Sequence, residues 1–330
     1  MIYRVLHTLG FTLKGAIFAT LFIGSLGHEL GTASLMERFP TGKVDFSVQF
    51  KNEFNLYSVS AVFVLPDEIV RFEAQGLTTE KNFLFESKYG NLVESYPASW
   101  TWQAPSKPDL YPIIITEPIK NQTMTLNVFV MVPFKKAKNG MLNGYQIGSY
   151  PPVAKKNSVL YKHPDGFVEV TPQNRDTLVS PHFTLGQFLC KQSGTYPKYV
   201  VIRERLLYQL ENVLAHVNEY GYRTQTLTIM SGYRTPSYNE SIHNVPYSRH
   251  LWGDATDIFI DFDPKDGIMD DLNKDWKVDF QDSLVLKQLI LNLLKDPMYQ
   301  KFVGGLGVYK TSNHHGPFVH VDVRGVPAYW

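Results

Sequence analysis

Three stretches in the last part of the chain concentrate side chains that bind metals and anions: SGYRTPSYN (231–239), SRHLWGDATDIFID (248–261) and GGLGVYKTSNHHGPFVHVDVRG (304–325). A histidine seven residues before an aspartate, as His250 and Asp257 are, arises by chance about half the time in a chain of this composition, so the pair alone decides nothing. Their context adds more. In ATDIFID a two-residue period puts Asp257, Phe259 and Asp261 on one face and Ile258 and Ile260 on the other. In FVHVDVR it groups Phe318, His320 and Asp322 against three valines. Two neutral imidazoles and one carboxylate would leave a bound Zn²⁺ with a net charge near about +1 and an open fourth position, the arrangement of catalytic rather than structural zinc. Such a site lowers the pKa of its water toward about 7, and the reaction class that follows is hydrolysis.

These groups need strands and a turn to hold them. Gly253 permits a turn that brings His250 back over the start of the strand carrying Asp257. Residues 199–220 carry Ile202, Leu206, Leu210, Val213, Leu214 and Val217 at helical spacing, and a second stripe follows at Leu286, Leu289, Ile290, Leu293 and Leu294. With the strand-like runs TLTIMSGYR, ATDIFID and FVHVDVRG, residues 181–330 read as an α+β domain. Residues 40–134 alternate with period two in VDFSVQF, YSVSAVFVLP, SWTWQA, YPIIITEP and MTLNVFVMVP, split by turn-rich stretches. That pattern predicts an all-β, antiparallel sandwich of immunoglobulin-like type, a spacer or binding module without a titratable cluster. Residues 135–180 mix Gly, Pro, Lys and Asn with little periodicity, which predicts a linker.

The motifs SGYRTP, SRHxxGxAxD and FVHVD, in that order, resemble the zinc D-alanyl-D-alanine carboxypeptidases and related murein endopeptidases, which share the hedgehog/DD-peptidase fold with lysostaphin-like enzymes. The resemblance covers roughly residues 181–330. It implies that His250, Asp257 and His320 bind zinc, that Arg234 contacts substrate, and that His315, five residues before the last ligand, is the catalytic histidine. The chemistry asks for the same roles: a planar guanidinium for a carboxylate or oxyanion, and a base to carry a proton to the leaving amine. His314 is an alternative base, and Asp322 is either a base or an acceptor for a ligand imidazole. Ser231, Tyr233 and Asn239 read as turn and scaffold positions. One departure stands out: many relatives have HxH at the last ligand, whereas this chain has Phe318, Val319, His320. A polar group near the zinc is missing or supplied elsewhere.

A second metal pattern lies in DDLNKDWKVDFQD, where Asp271, Asn273, Asp275, Lys277 (through its carbonyl), Asp279 and Asp282 take the ligand spacing of a calcium loop, followed by a helix. It resembles the dockerin form, which ends in Asp. Trp276 stands where glycine usually makes the sharp turn.

The whole chain bounds these readings. It has 330 residues, 44% hydrophobic and 14% aromatic, with 32 basic against 31 acidic side chains, so composition offers no electrostatic case for nucleic acid. A lone cysteine, Cys190, excludes an intrachain disulfide and a multi-cysteine zinc site, and its apolar neighbours read as core. Residues 1–39 begin with Arg4 and Lys14, run uncharged from 15 to 27, and meet the first acid at Glu29. This predicts an export signal, either cleaved or kept as a membrane anchor, with the rest of the chain periplasmic or otherwise extracytoplasmic. The expectation is therefore an exported zinc metallopeptidase acting on peptidoglycan peptides. A catalytically weak or inactive zinc-containing wall-binding module is the alternative, and a phage-type lysin a third reading that the amino-terminal segment argues against.

Overall fold

The computed structural model describes residues 39–76, 82–153 and 160–330, so the expected signal or anchor lies outside the described residues. No helix among them is long and apolar enough to cross a membrane. The described chain is mostly β. Its amino-terminal part holds β1 (Lys43–Phe50), β2 (Glu53–Tyr57), β3 (Val59–Val64), β4 (Ile69–Gln75), β5 (Leu84–Ser87), β6 (Asn91–Tyr96), β7 (Ser99–Gln103), β8 (Asp109–Glu117) and β9 (Gln122–Val130). A five-stranded sheet in the order β2-β1-β4-β7-β6 faces a four-stranded sheet in the order β3-β9-β8-β5. Val48, Phe72 and Trp102 from the first meet Val62, Ile113 and Leu126 from the second in one buried core. The pairing is not purely antiparallel as expected, because β3 and β9 pair in parallel along their length. Both of these strands are buried on two faces, so the period-two reading of YSVSAVFVLP and MTLNVFVMVP does not mark a solvent-facing side there. Val62 and Val64 of β3 enter the sandwich core, while Ala61 and Phe63 enter the core of the following domain.

The described residues of 135–180, a segment expected as a linker, contribute to that second core. After β10 (Val132–Pro133) come the hairpin β11 (Met141–Leu142) and β12 (Tyr145–Gln146), then β13 (Gly166–Val170), β14 (Leu178–Ser180), β15 (Phe183–Thr184) and β16 (Lys198–Val200). Leu142, Tyr145, Ile147, Phe167, Val168 and Val179 are all buried there. The strands are so short that no window of the sequence shows a period, and the physical signal is lost among the intervening turns.

The remaining elements are α1 (Glu204–Glu219), β17 (Thr228–Ser231), α2 (Pro236–Ser241), β18 (Ala255–Phe259), α3 (Phe280–Leu293), β19 (Gly305–Tyr309), β20 (Phe318–Asp322) and β21 (Ala328–Tyr329). A sheet in the order β17-β18-β20-β19-β21 forms the floor of the site. Val319 and Val321 of β20 turn to the side where Leu286, Leu289 and Ile290 of α3 pack, so the alternate residues, including His320, are free for the opposite face. Helix α1 carries the sandwich. Tyr57 donates to Asn212 at 2.8 Å, the Ser60 and Tyr208 hydroxyls lie 3.0 Å apart, and the Phe63 N–H donates to Glu204 at 3.1 Å.

Candidate metal centre and cleft

Register brings the distant motifs together. Strand β18 pairs with β20 so that Asp257 lies directly across from His320, and Ala255 across from Asp322. His250 arrives from the one-turn helix Arg249–Trp252, which ends at Gly253 with φ +67°. A Cβ at Gly253 would sit 2.3 Å from the Val201 carbonyl oxygen, so the backbone approach itself requires glycine. The turn is clamped from outside by a buried Arg249–Asp254 pair, whose Nε–Oδ1 bond is 3.0 Å.

His250, Asp257 and His320 are buried, and their ligand atoms form one tight triangle. His250 Nε2 lies 3.2 Å from His320 Nδ1 and 3.2 Å from Asp257 Oδ1, and His320 Nδ1 lies 3.0 Å from the same oxygen. A tetrahedral zinc with bonds of about 2.0–2.1 Å has donor–donor edges of about 3.3 Å. The three edges fit that figure with a fourth vertex left over.

The tautomers support the same fit. His250 Nδ1 donates to the Gly232 carbonyl at 2.7 Å, which turns a lone pair of neutral imidazole inward on Nε2. His320 Nε2 donates to Asp322 Oδ2 at 3.2 Å, which does the same for Nδ1. Two lone pairs and a carboxylate oxygen then face a common point, an arrangement that could hold a cation. Burial opposes charge at Asp257, but His250 and His320 outweigh it and hold the carboxyl well below the usual range. Burial likewise opposes charge at His320, and the hydrogen bonds it donates to Asp257 and Asp322 when protonated win and raise its pKa. At His250 burial prevails and lowers it.

Asp322, weighed above as a base, stands behind His320 on the ring nitrogen remote from the triangle. Its oxygens accept from Gly305 N–H at 2.8 Å and from Arg324 Nε at 2.9 and 3.0 Å. It is buried, with both oxygens taken by these donors and by His320 Nε2. Arg234 is likewise tied in: Nε donates to Ser231 Oγ at 2.9 Å and Nη2 to Asp257 Oδ2 at 2.5 Å. Asp257 is therefore shared, one oxygen toward the imidazoles and one toward the guanidinium. The scaffold positions behave as such: Tyr233 meets Tyr150 at 2.9 Å and Asn239 donates to the Val245 carbonyl at 3.0 Å. Cys190 is buried, and burial raises its pKa.

A cleft of 900 Å³ opens over the triangle, its walls including Arg234, His314, His315, Tyr309, Phe318 and Trp330. His315 Nδ1 donates to the Gly316 carbonyl at 2.8 Å, which leaves Nε2 as an acceptor. His314 is exposed on the same loop. Phe318, the departure noted above, stacks on Tyr309 with ring centroids 4.5 Å apart and makes that wall aromatic.

Sequence reasoning missed Arg324 and Trp330. Arg324 continues the two-residue period of His320 and Asp322, so the signal for it was present. Trp330 lies 5.2 Å from the His320 ring and donates to the Tyr309 hydroxyl at 2.8 Å. It fits only because Gly307 has no side chain, since a Cβ there would be 2.3 Å from the indole. No local pattern encodes that contact.

The acidic loop differs. Among the described residues, His250, Asp257 and His320 form the only group of three or more His, Cys, Asp or Glu whose ligand atoms converge. Asp271 accepts from Asp275 N–H at 3.2 Å and Trp276 N–H at 2.7 Å, Asn273 accepts from Asp275 N–H at 2.9 Å, and Asp275 accepts from Lys277 N–H at 3.0 Å. Asp279 caps α3, and Asp282 is buried, accepting from Leu272, Asn273 and Asp279 N–H groups.

The chain matches no protein-family model and no curated protein.

Proposed function

We propose that the chain is a zinc peptidase of the cell exterior that hydrolyses peptide bonds involving D-amino acids in peptidoglycan, as a D,D-carboxypeptidase or an endopeptidase. The observation that carries the reading is the inward aim of the His250 Nε2 and His320 Nδ1 lone pairs onto the Asp257 oxygen beneath an open cleft. Zinc held there would polarise a carbonyl and supply a water nucleophile at neutral pH. The protein's own groups do the rest. His315 accepts a proton at Nε2 and returns it to the leaving amine. Arg234, fixed by Ser231 and Asp257, offers its remaining guanidinium nitrogen to a substrate carboxylate or oxyanion. Asp322 and Arg324 keep the His320 ring in its productive tautomer. The sandwich, docked on α1, acts as a spacer between the membrane side and the cleft.

Mass spectrometry of pentapeptides and cross-linked muropeptides, incubated with the protein, with a chelator present, and with His320→Ala, tests the reading. Loss of one terminal alanine identifies a carboxypeptidase and resolution of dimers an endopeptidase. Zinc bound at one equivalent without any product would move the chain to the wall-binding alternative.

A further inference from the structure

The stretch expected as a linker reaches the metal centre through one residue. Tyr150 follows the β11–β12 hairpin, and its ring is held between Phe134, His163 and Trp252, with ring centroids 5.7, 5.6 and 6.0 Å away. Its hydroxyl has two partners: it donates to the Leu251 carbonyl at 3.0 Å and lies 2.9 Å from the Tyr233 hydroxyl. A hydroxyl carries a single hydrogen, and with that hydrogen spent on Leu251 the second bond must be donated by Tyr233. The bonds therefore run one way, from Tyr233 to Tyr150 to Leu251, and each polarises the next.

The end points matter because of their neighbours. Gly232, Tyr233 and Arg234 are consecutive in the loop after β17, and His250 and Leu251 are consecutive in the one-turn helix. The Gly232 carbonyl accepts from His250 Nδ1 at 2.7 Å, and the Arg234 N–H donates to the His250 carbonyl at 3.2 Å. Between these two direct bonds, Tyr233 reaches Leu251 through Tyr150. The same loop and turn are thus joined three times, and the middle connection passes through a residue that belongs to neither. The first connection sets the His250 tautomer, and Arg234 at the last holds the outer oxygen of Asp257. A slip of the loop along the turn would disturb both. The stretch that carries Tyr150 grips each side separately as well: the Ile147 carbonyl accepts from Ser237 N–H at 3.0 Å on one, and the Pro152 carbonyl accepts from the Tyr247 hydroxyl at 3.0 Å on the other.

We infer that Tyr150 is a positioning residue of the metal centre: its hydroxyl fixes the loop of Gly232 and Arg234 against the turn of His250, and through them the aim of the His250 lone pair. Tyr150 lies outside residues 181–330, whose motifs carry the resemblance to zinc peptidases, so that resemblance assigns it no role. The inference rests on the zinc site of the reading above and not on the reaction given to it. Its consequence is that the stretch ahead of residue 181 helps to build the site rather than only joining two domains.

Tyr150→Phe removes one oxygen and leaves the ring in its packing. Zinc affinity, read by competition with a coloured chelator, should fall about tenfold, and the visible absorption of protein loaded with Co²⁺ in place of zinc should shift, because a turned imidazole alters the ligand field. Tyr233→Phe should give the same loss, and the double variant no more than either, since all three break one chain of bonds. Tyr57→Phe is the control: it strips the donor from buried Asn212 at the sandwich contact, costs comparable stability, and should keep both affinity and spectrum. Affinity within about twofold of wild type with an unchanged spectrum, an equal loss in Tyr57→Phe, or losses that multiply in the double variant would overturn the positioning role and leave the zinc site standing. A wild-type protein that binds no zinc overturns that site, and this inference with it.

Discussion

The His250–Asp257–His320 triangle and the acidic loop at 271–282 both present metal-type side chains at metal-type spacings, yet they spend their oxygens and nitrogens differently. In the triangle, each side chain's outer atom is bonded to the scaffold and its inner atom faces the other two: Gly232 behind His250, Asp322 behind His320, Arg234 behind Asp257. In the loop, the side-chain oxygens take backbone N–H groups, and Asp282 accepts the N–H of Asp279, the residue that caps α3. Similar spacing along the chain therefore accompanies two different hydrogen-bonding arrangements. What separates them is whether a second group has already satisfied the atom that faces inward.

Asp257→Asn should break the triangle with the largest effect. It removes the anionic ligand and leaves Arg234, itself buried, without its counter-ion, a change that costs about 3–5 kcal/mol for a buried pair. Zinc content of the purified protein, measured by elemental analysis, should fall to under about a tenth of an equivalent, because the ligand set no longer offsets the ion's desolvation. Retention of a full equivalent would mean that the carboxylate is not a ligand.

Asp322→Asn is a gentler probe of the same design. The amide keeps the shape but weakens the bond that sets the His320 tautomer, and loss of such a partner lowers metal affinity by about 10–100-fold. Competition against a chromophoric chelator measures it. If affinity is unchanged while turnover disappears, Asp322 moves protons after all and the positioning role is wrong.

In the loop the corresponding change acts on stability. Asp282→Ala strips the acceptor from three N–H groups at a position with 0% exposure, and unfolding free energy should drop by about 3 kcal/mol, with Tm lower by roughly 6–12 °C. Because the acceptor bonds are to backbone, the drop should be present with a calcium chelator in the buffer, and zinc should remain bound at the triangle. A drop seen only when calcium is supplied would put the loop in the same class as the triangle.

Much of this contrast was legible before any coordinates. The two strand faces of β18 and β20 follow from period two, and the turn at Gly253 from a single glycine, since both are local consequences of backbone geometry. The longer strands, such as β1 and β7, show alternation for the same reason. What sequence could not convey was register and burial across the fold: the pairing of Asp257 with His320, the backing of Asp322 by Arg324 and Gly305, the Trp330 wall, and the burial of β3 and β9 on both faces. The short strands of residues 135–180 lie at the same limit, because two- and three-residue strands have no period to detect.

Trp276 offers the finest test of how the loop holds itself. It sits at the sharp turn with φ +68° and is 95% exposed, so its side chain contributes almost no packing while its backbone occupies a region that L residues enter at a cost. Its N–H donates to Asp271, which keeps it there. Trp276→Gly removes the Cβ conflict and adds some freedom to the unfolded chain, two effects of opposite sign and unequal size. The first, about 1–2 kcal/mol, exceeds the second, about 0.5–1 kcal/mol, so the variant should unfold at a slightly higher denaturant midpoint with an unchanged slope. A lower midpoint would show that the indole covers something on the loop, and that the loop draws stability from more than its carboxylate–amide bonds.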